Sequence, residues 1–118
     1  MRAVLEYNEE GCLLYAEAFP GAFARGRTRE EAARKLPEDV RRYRMWAGDG
    51  AQIRPDEAMD VVQTFKSGLQ IRDADSEVLF DAERAPISSP EYKYLRGLVL
   101  KSAGDFQRLY DSLPDPNR

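Results

Sequence analysis

The sequence predicts an α+β protein: an antiparallel β-β-β-α-β sheet domain followed by a long amphipathic C-terminal helix. Three observations carry that expectation. Two alternating apolar segments, residues 3–7 and 12–19, flank the turn chemistry of Asn8-Glu9-Glu10-Gly11. Pro20-Gly21 then opens a short segment that runs into Thr28-x-x-Glu31, the S/T-x-x-E pattern that satisfies orphan backbone donors at a helix start. From Tyr92 to Leu113, apolar residues recur every three or four positions, the spacing of one helix face.

The first strand is read over residues 3–7, where Val4, Leu5 and Tyr7 suit a pleated surface. In the second, residues 12–19, Leu14, Ala16 and Ala18 share one face and Leu13, Tyr15 and Glu17 the other. The small residues let a helix lie close, and Glu17 places the second face toward solvent. Residues 22–25 make the third strand, antiparallel to the second. The first helix follows over residues 29–47, with Ala32, Leu36, Val40, Tyr43 and Ala47 as its sheet-facing stripe. Pro37 falls inside it, and a kink or short break is expected there because proline removes a donor and crowds the preceding turn. Gly48 is the stop, and residues 49–57 form a loop.

A fourth strand is read over residues 59–65, with Met59, Val61 and Phe65 inward. Residues 67–75 read as irregular and 76–80 as one helical turn, inside a linker that spans 68–88. The last helix begins at a second capping box, Ser88 with Glu91, and Pro90 suits a first turn. Its seam of Tyr92, Leu95, Val99, Ser102, Phe106, Leu109 and Leu113 steps by three and four along about 36 Å. A short-stranded sheet cannot cover so long a stripe, so Leu95, Val99 and Phe106 are candidate contacts to a partner; the alternative is that the helix folds back over the open sheet face. The organisation expected is a sheet domain over 1–67, the linker, and the helical segment over 89–118.

Composition narrows the chemistry. The chain of 118 residues has no His and a single Cys. That removes the commonest general base, the usual metal ligand and any intrachain disulfide. No apolar run approaches the length of a membrane span, and the N-terminus turns acidic before any signal-like core, so a cytoplasmic location is expected. The net charge of −3 is uneven. Residues 25–44 hold eight Lys or Arg against four Asp or Glu, a local +4, and the rest of the chain is acidic.

Three stretches, taken together, are similar to a known family. They are Tyr7-Asn8-Glu9-Glu10-Gly11, then Phe19-Pro20-Gly21-Ala22-Phe23-Ala24-Arg25-Gly26, then Thr28-Arg29-Glu30-Glu31-Ala32. Their order resembles the HicB-like antitoxin domain, a partial ribonuclease-H-like fold, over slightly more than half of the chain. The resemblance implies a non-catalytic module whose partner is a HicA-like toxin or a second copy of itself. Such antitoxins usually continue into a DNA-binding element, and nothing after Ser67 reads as one. The final helix instead resembles the opening helix of a DinB-like bundle, which implies an alternative: the regulatory front of a DinB-like metal-dependent enzyme, inactive alone. No metal role carries over without His.

Other chemistry fails on its own terms. Asp73-x-Asp75-x-Glu77 starts like a calcium loop, but Val78 stands where glycine is needed and Arg84 where the closing Glu belongs. A two-metal nuclease needs carboxylates on central strands, and the first strand offers only Glu6. Cys12 reads as packing. No catalytic, cofactor-binding or metal residue is therefore assigned. Candidate interaction residues at the front are Tyr15 and Phe23 as anchors, with Arg25, Arg27 and Arg29. A second alternative is nucleic-acid binding through the basic stretch from Arg25 to Lys35, with Tyr15, Phe23 and Tyr43 as stacking surfaces.

Overall fold

A computed structural model describes residues 1–48 and 58–114. The protein is α+β and divides into two units, Met1–Ala85 and Pro86–Arg118. The first unit carries β1 (Arg2–Asn8), β2 (Gly11–Ala16), β3 (Phe23–Gly26), α1 (Arg29–Ala47) and β4 (Asp60–Lys66). Two 3-10 turns follow, Ile71–Asp73 and Asp81–Arg84. The expected loop over 49–57 lies outside the described residues.

The sheet order is β3-β2-β1-β4. β1 with β2 and β2 with β3 pair antiparallel, but β4 pairs parallel with β1, so the sheet is mixed rather than wholly antiparallel. The cause is the helix. Two hairpin steps bring β3 into the direction of β1. A helix of 19 residues then carries the chain about 28 Å back along the sheet. The next strand must run as β3 does, and beside β1 that is parallel.

The β1–β2 turn is closed locally. Asn8 pairs with Gly11, and the Glu10 N–H donates to Asn8 Oδ1 at 2.9 Å. Gly11 has φ +143°, and a Cβ there would lie 2.6 Å from the Gly26 carbonyl oxygen. β2 ends at Ala16, earlier than its alternation suggests. The Phe19 N–H donates to Ala16 O and the Ala22 N–H to Phe19 O, which folds residues 16–22 into the turn.

One sheet face receives α1. Ala3, Leu5, Cys12, Leu14, Ala16 and Ala24 pack with Ala32, Leu36 and Val40 of the helix. Fully burying a side chain such as Leu36 is worth roughly 1.5–3 kcal/mol. Thr28 caps the helix, its Oγ1 accepting from the Glu31 N–H at 3.2 Å, while Glu31 Oε2 accepts from the Arg27 N–H at 3.0 Å. Of the kink or short break expected at Pro37, the break does not occur: α1 is assigned continuously through it, and Pro37 is itself buried. The ring is flanked by Leu36 and Val40, whose burial offsets one missing donor. The helix stops at Gly48 as its sequence suggests.

β4 contains a register shift. Ala3 and Val4 of β1 stand opposite Val61 and Gln63, so Val62 is an extra residue. It changes which face the later residues take. Val61 packs against the helix-side core, whereas Phe65 stands opposite Glu6 on the other face, not inward with Val61 as its spacing implied.

That other face is not solvated. Val4, Glu6 and Leu13 are fully buried on it, and so is Ile71, which the 3-10 turn presses against β1 and β2. Residues 67–84 form a strap across it. Residues 76–80 are not a helical turn, because sheet side chains consume their backbone groups. Glu6 Oε2 accepts from the Glu77 N–H at 2.9 Å. Gln63 donates to Leu79 O at 2.9 Å and accepts from the Asp81 N–H at 2.7 Å. Asn8 Nδ2 adds a bond to Leu69 O at 2.8 Å.

The second unit is α2 (Ser89–Asp111), capped by Ser88, whose Oγ accepts from the Glu91 N–H at 3.3 Å. Lys101 pairs with Asp105 at 2.9 Å along its surface. Among the described residues, no helix is long and apolar enough to cross a membrane.

Candidate interaction surfaces

Four places are candidates, three of which carry residues that the sequence singles out. The first is the strapped sheet face. Tyr15 lies half-buried in a row of rings, 5.8 Å from Phe23 and 5.4 Å edge-on from Phe80. Its hydroxyl donates to Glu6 Oε1 at 3.2 Å, and the Ser76 hydroxyl donates to the same oxygen at 2.6 Å. Tyr15 is thus a packed strut, not a free anchor. Phe23 differs: it is 39% exposed at the end of the row.

Burial, with the Glu6 carboxylate nearby, pushes the Tyr15 phenol up to about 12. An ordinary tyrosine titrates near pH 10. A raised folded value means that the folded state holds the proton more tightly. The contribution is whole below about pH 10 and is lost as pH rises through the folded value. The melting temperature is therefore expected to fall across that window, and Tyr15→Phe to flatten the fall. A phenolate-absorbance titration of both proteins checks it: the wild type shows a late-titrating phenol that the variant lacks.

The second place is a polar cleft of about 340 Å³ at the junction of β3 and α1. It is lined by Glu10, Arg25, Gly26, Arg27, Glu31, Lys35 and Arg72. The close approach depends on Gly26, where a Cβ would lie 2.6 Å from Ala32 N and 2.7 Å from Thr28 O. Lys35 donates to Glu31 Oε1 at 2.8 Å and to Arg25 O at 2.9 Å. The Lys35 ammonium and the Arg27 N–H hold the Glu31 carboxyl below its usual range. Arg25 donates to the Arg72 carbonyl, and Arg72 stands 3.9 Å from Glu10. Arg25 and Arg27 therefore meet here, whereas Arg29 is exposed on α1 and is not among the lining residues. Arg72 was not legible as a member: it is 45 positions from Arg27 in the chain, and only the strap brings it in.

The third place is the outer side of β4, the terminal strand, with which no further strand pairs among the described residues. The Ser67 N–H points to Tyr7 O on β1. By alternation, the donors of Thr64 and Lys66 point away from the sheet. The fourth is α2, where Val99 is 67% and Phe106 70% exposed and Leu95 is half-buried.

Tyr43, offered as a stacking surface, instead packs beside the helix-side core with Phe19 and Trp46. Cys12 is buried, and burial pushes its thiol up, away from nucleophilic character. Among the described residues, no group of three or more His, Cys, Asp or Glu is placed to hold a metal ion. Comparison of the chain with protein-family models, curated proteins and solved structures gave no match.

Proposed function

We propose that the chain is a cytoplasmic, non-catalytic protein-interaction module of the HicB-like kind, binding a HicA-like toxin or a second copy of itself. The observation that carries this reading is the open side of β4. A seven-residue terminal strand offers outward N–H and C=O groups to an incoming strand. The β-β-β-α-β order of the first unit supports the family resemblance. The strapped face is poorly suited to the role, since Val4, Leu13 and Ile71 are already covered.

Light scattering across a concentration series, alone and with a HicA-like toxin protein, tests the reading. The wild type is expected to form a homodimer or a stable complex. Thr64→Pro, which removes an outward donor from an edge strand, is expected to abolish that association with little loss of fold. A fixed monomer that captures no such protein overturns the proposal.

A second reading is favoured by α2. Its apolar seam is exposed, as in a helix taken from a bundle, which fits the front domain of a larger DinB-like metal-dependent enzyme, inactive alone. Coding sequence that continues into further helices bearing His residues would support it.

A further inference from the structure

The cleft at the junction of β3 and α1 is a strongly charged concavity. Four cations, Arg25, Arg27, Lys35 and Arg72, line it against two carboxylates. Both carboxylates are engaged: Glu31 by Lys35 and the Arg27 N–H, Glu10 by Arg72. Arg27 is exposed, and among the described residues its guanidinium makes no hydrogen bond or ion pair. Arg25 still has donors to give beyond its bond to the Arg72 carbonyl. The cleft is thus an excess of positive charge in a chain whose net charge is −3.

Phe23 lies on the same strand and the same sheet face as Arg25, two residues earlier. That separation is about 7 Å, one step of an extended nucleotide chain. The Phe23 ring is 39% exposed and packs against Tyr15, centroids 5.8 Å apart and planes tilted by 36°. A flat ring beside a cationic cleft is the pairing that holds single strands: the charges take a phosphate and the ring takes an unstacked base. A duplex keeps its bases stacked and cannot use the ring.

We propose that this cleft binds single-stranded nucleic acid, a phosphate seated among Arg25, Arg27, Lys35 and Arg72 and the neighbouring base stacked on Phe23. The site is separate from the β4 edge, which lies at the other end of the sheet order. Thr64→Pro therefore leaves it unchanged, and the two proposals fail independently.

Fluorescence anisotropy with a short labelled oligouridylate and a labelled duplex of equal length tests it. The one phosphate seated in the cleft contributes about −0.7 to the log–log salt slope for a single strand. Arg27→Ala, which removes no side-chain hydrogen bond or ion pair among the described residues, is expected to melt like the wild type, to bind more weakly and to make the slope shallower. Phe23→Leu keeps an apolar side chain but loses the stacking plane. It is expected to weaken binding about tenfold with the slope unchanged. Absence of binding at low salt, equal affinity for the duplex, or wild-type affinity in Arg27→Ala each overturns the proposal.

Discussion

Gly26→Ala is expected to destabilise the first unit by about 3 kcal/mol, at the upper end of what overpacking costs. The added Cβ meets Ala32 N at 2.6 Å and Thr28 O at 2.7 Å, and both are backbone atoms. A flexible side chain would swing aside; a backbone turn cannot. The Thr28 carbonyl is already held by the Ala32 N–H at 3.1 Å, so relief requires the first turn of α1 to move off β3. The same movement opens the cleft that Arg25, Arg27 and Lys35 line. Urea unfolding followed by circular dichroism measures the loss. A change below about 0.5 kcal/mol, the range of an ordinary surface substitution, would show that β3 and α1 are not in such close contact.

The second large effect is expected at Glu6. A carboxylate fully buried on a face shared with Val4 and Leu13 is costly unless every oxygen is satisfied. Here Oε1 accepts from the Ser76 and Tyr15 hydroxyls and Oε2 from the Glu77 N–H. Two of the three donors belong to the strap, so Glu6 is a buried polar pin that, beside Gln63 and Asn8, holds residues 67–84 to the sheet. Glu6→Ala leaves those donors without an acceptor and is expected to cost about 3 kcal/mol. Glu6→Gln retains one acceptor oxygen and is expected to lose about half as much. Hydrogen exchange gives the local readout: the Glu77 amide should lose protection in Glu6→Ala well before the Leu14 amide on the central strand does. Equal loss at both positions would mean that the strap and the sheet open as one body, and the pin would have no separate role.

Both effects show where sequence reasoning reaches and where it stops. The capping box at Thr28 and Glu31, the turn at Asn8 to Gly11 and the helical stripe of Ala32, Leu36 and Val40 are local patterns, and each was legible. Gly26 lies in sequence between the third strand, read over residues 22–25, and the helix cap at Thr28. That it is also a contact point between them was not legible, because the clash involves atoms brought together by the fold. Glu6 was visible only as the one acidic residue of the first strand. Its burial depends on Ser76 and Glu77, some seventy positions away. The cleft was half legible: Arg25, Arg27 and Lys35 are close in sequence, while Arg72 arrives with the strap.

What the sequence determined by itself is whatever a turn or two of chain can encode: strand alternation, caps, stops and the seam along α2. Backbone sterics and side-chain periodicity act over a few residues, and those forces are written in neighbouring letters. Only the tertiary structure decided the direction of β4, the face taken by Phe65 and the covering of the outer sheet. Each depends on an event remote in the chain. The length of α1 sets the parallel return, one extra residue at Val62 reverses the alternation, and a buried carboxylate recruits a segment that looks like a linker. Such contacts stabilise the fold only after the chain has closed long loops, so no local pattern announces them.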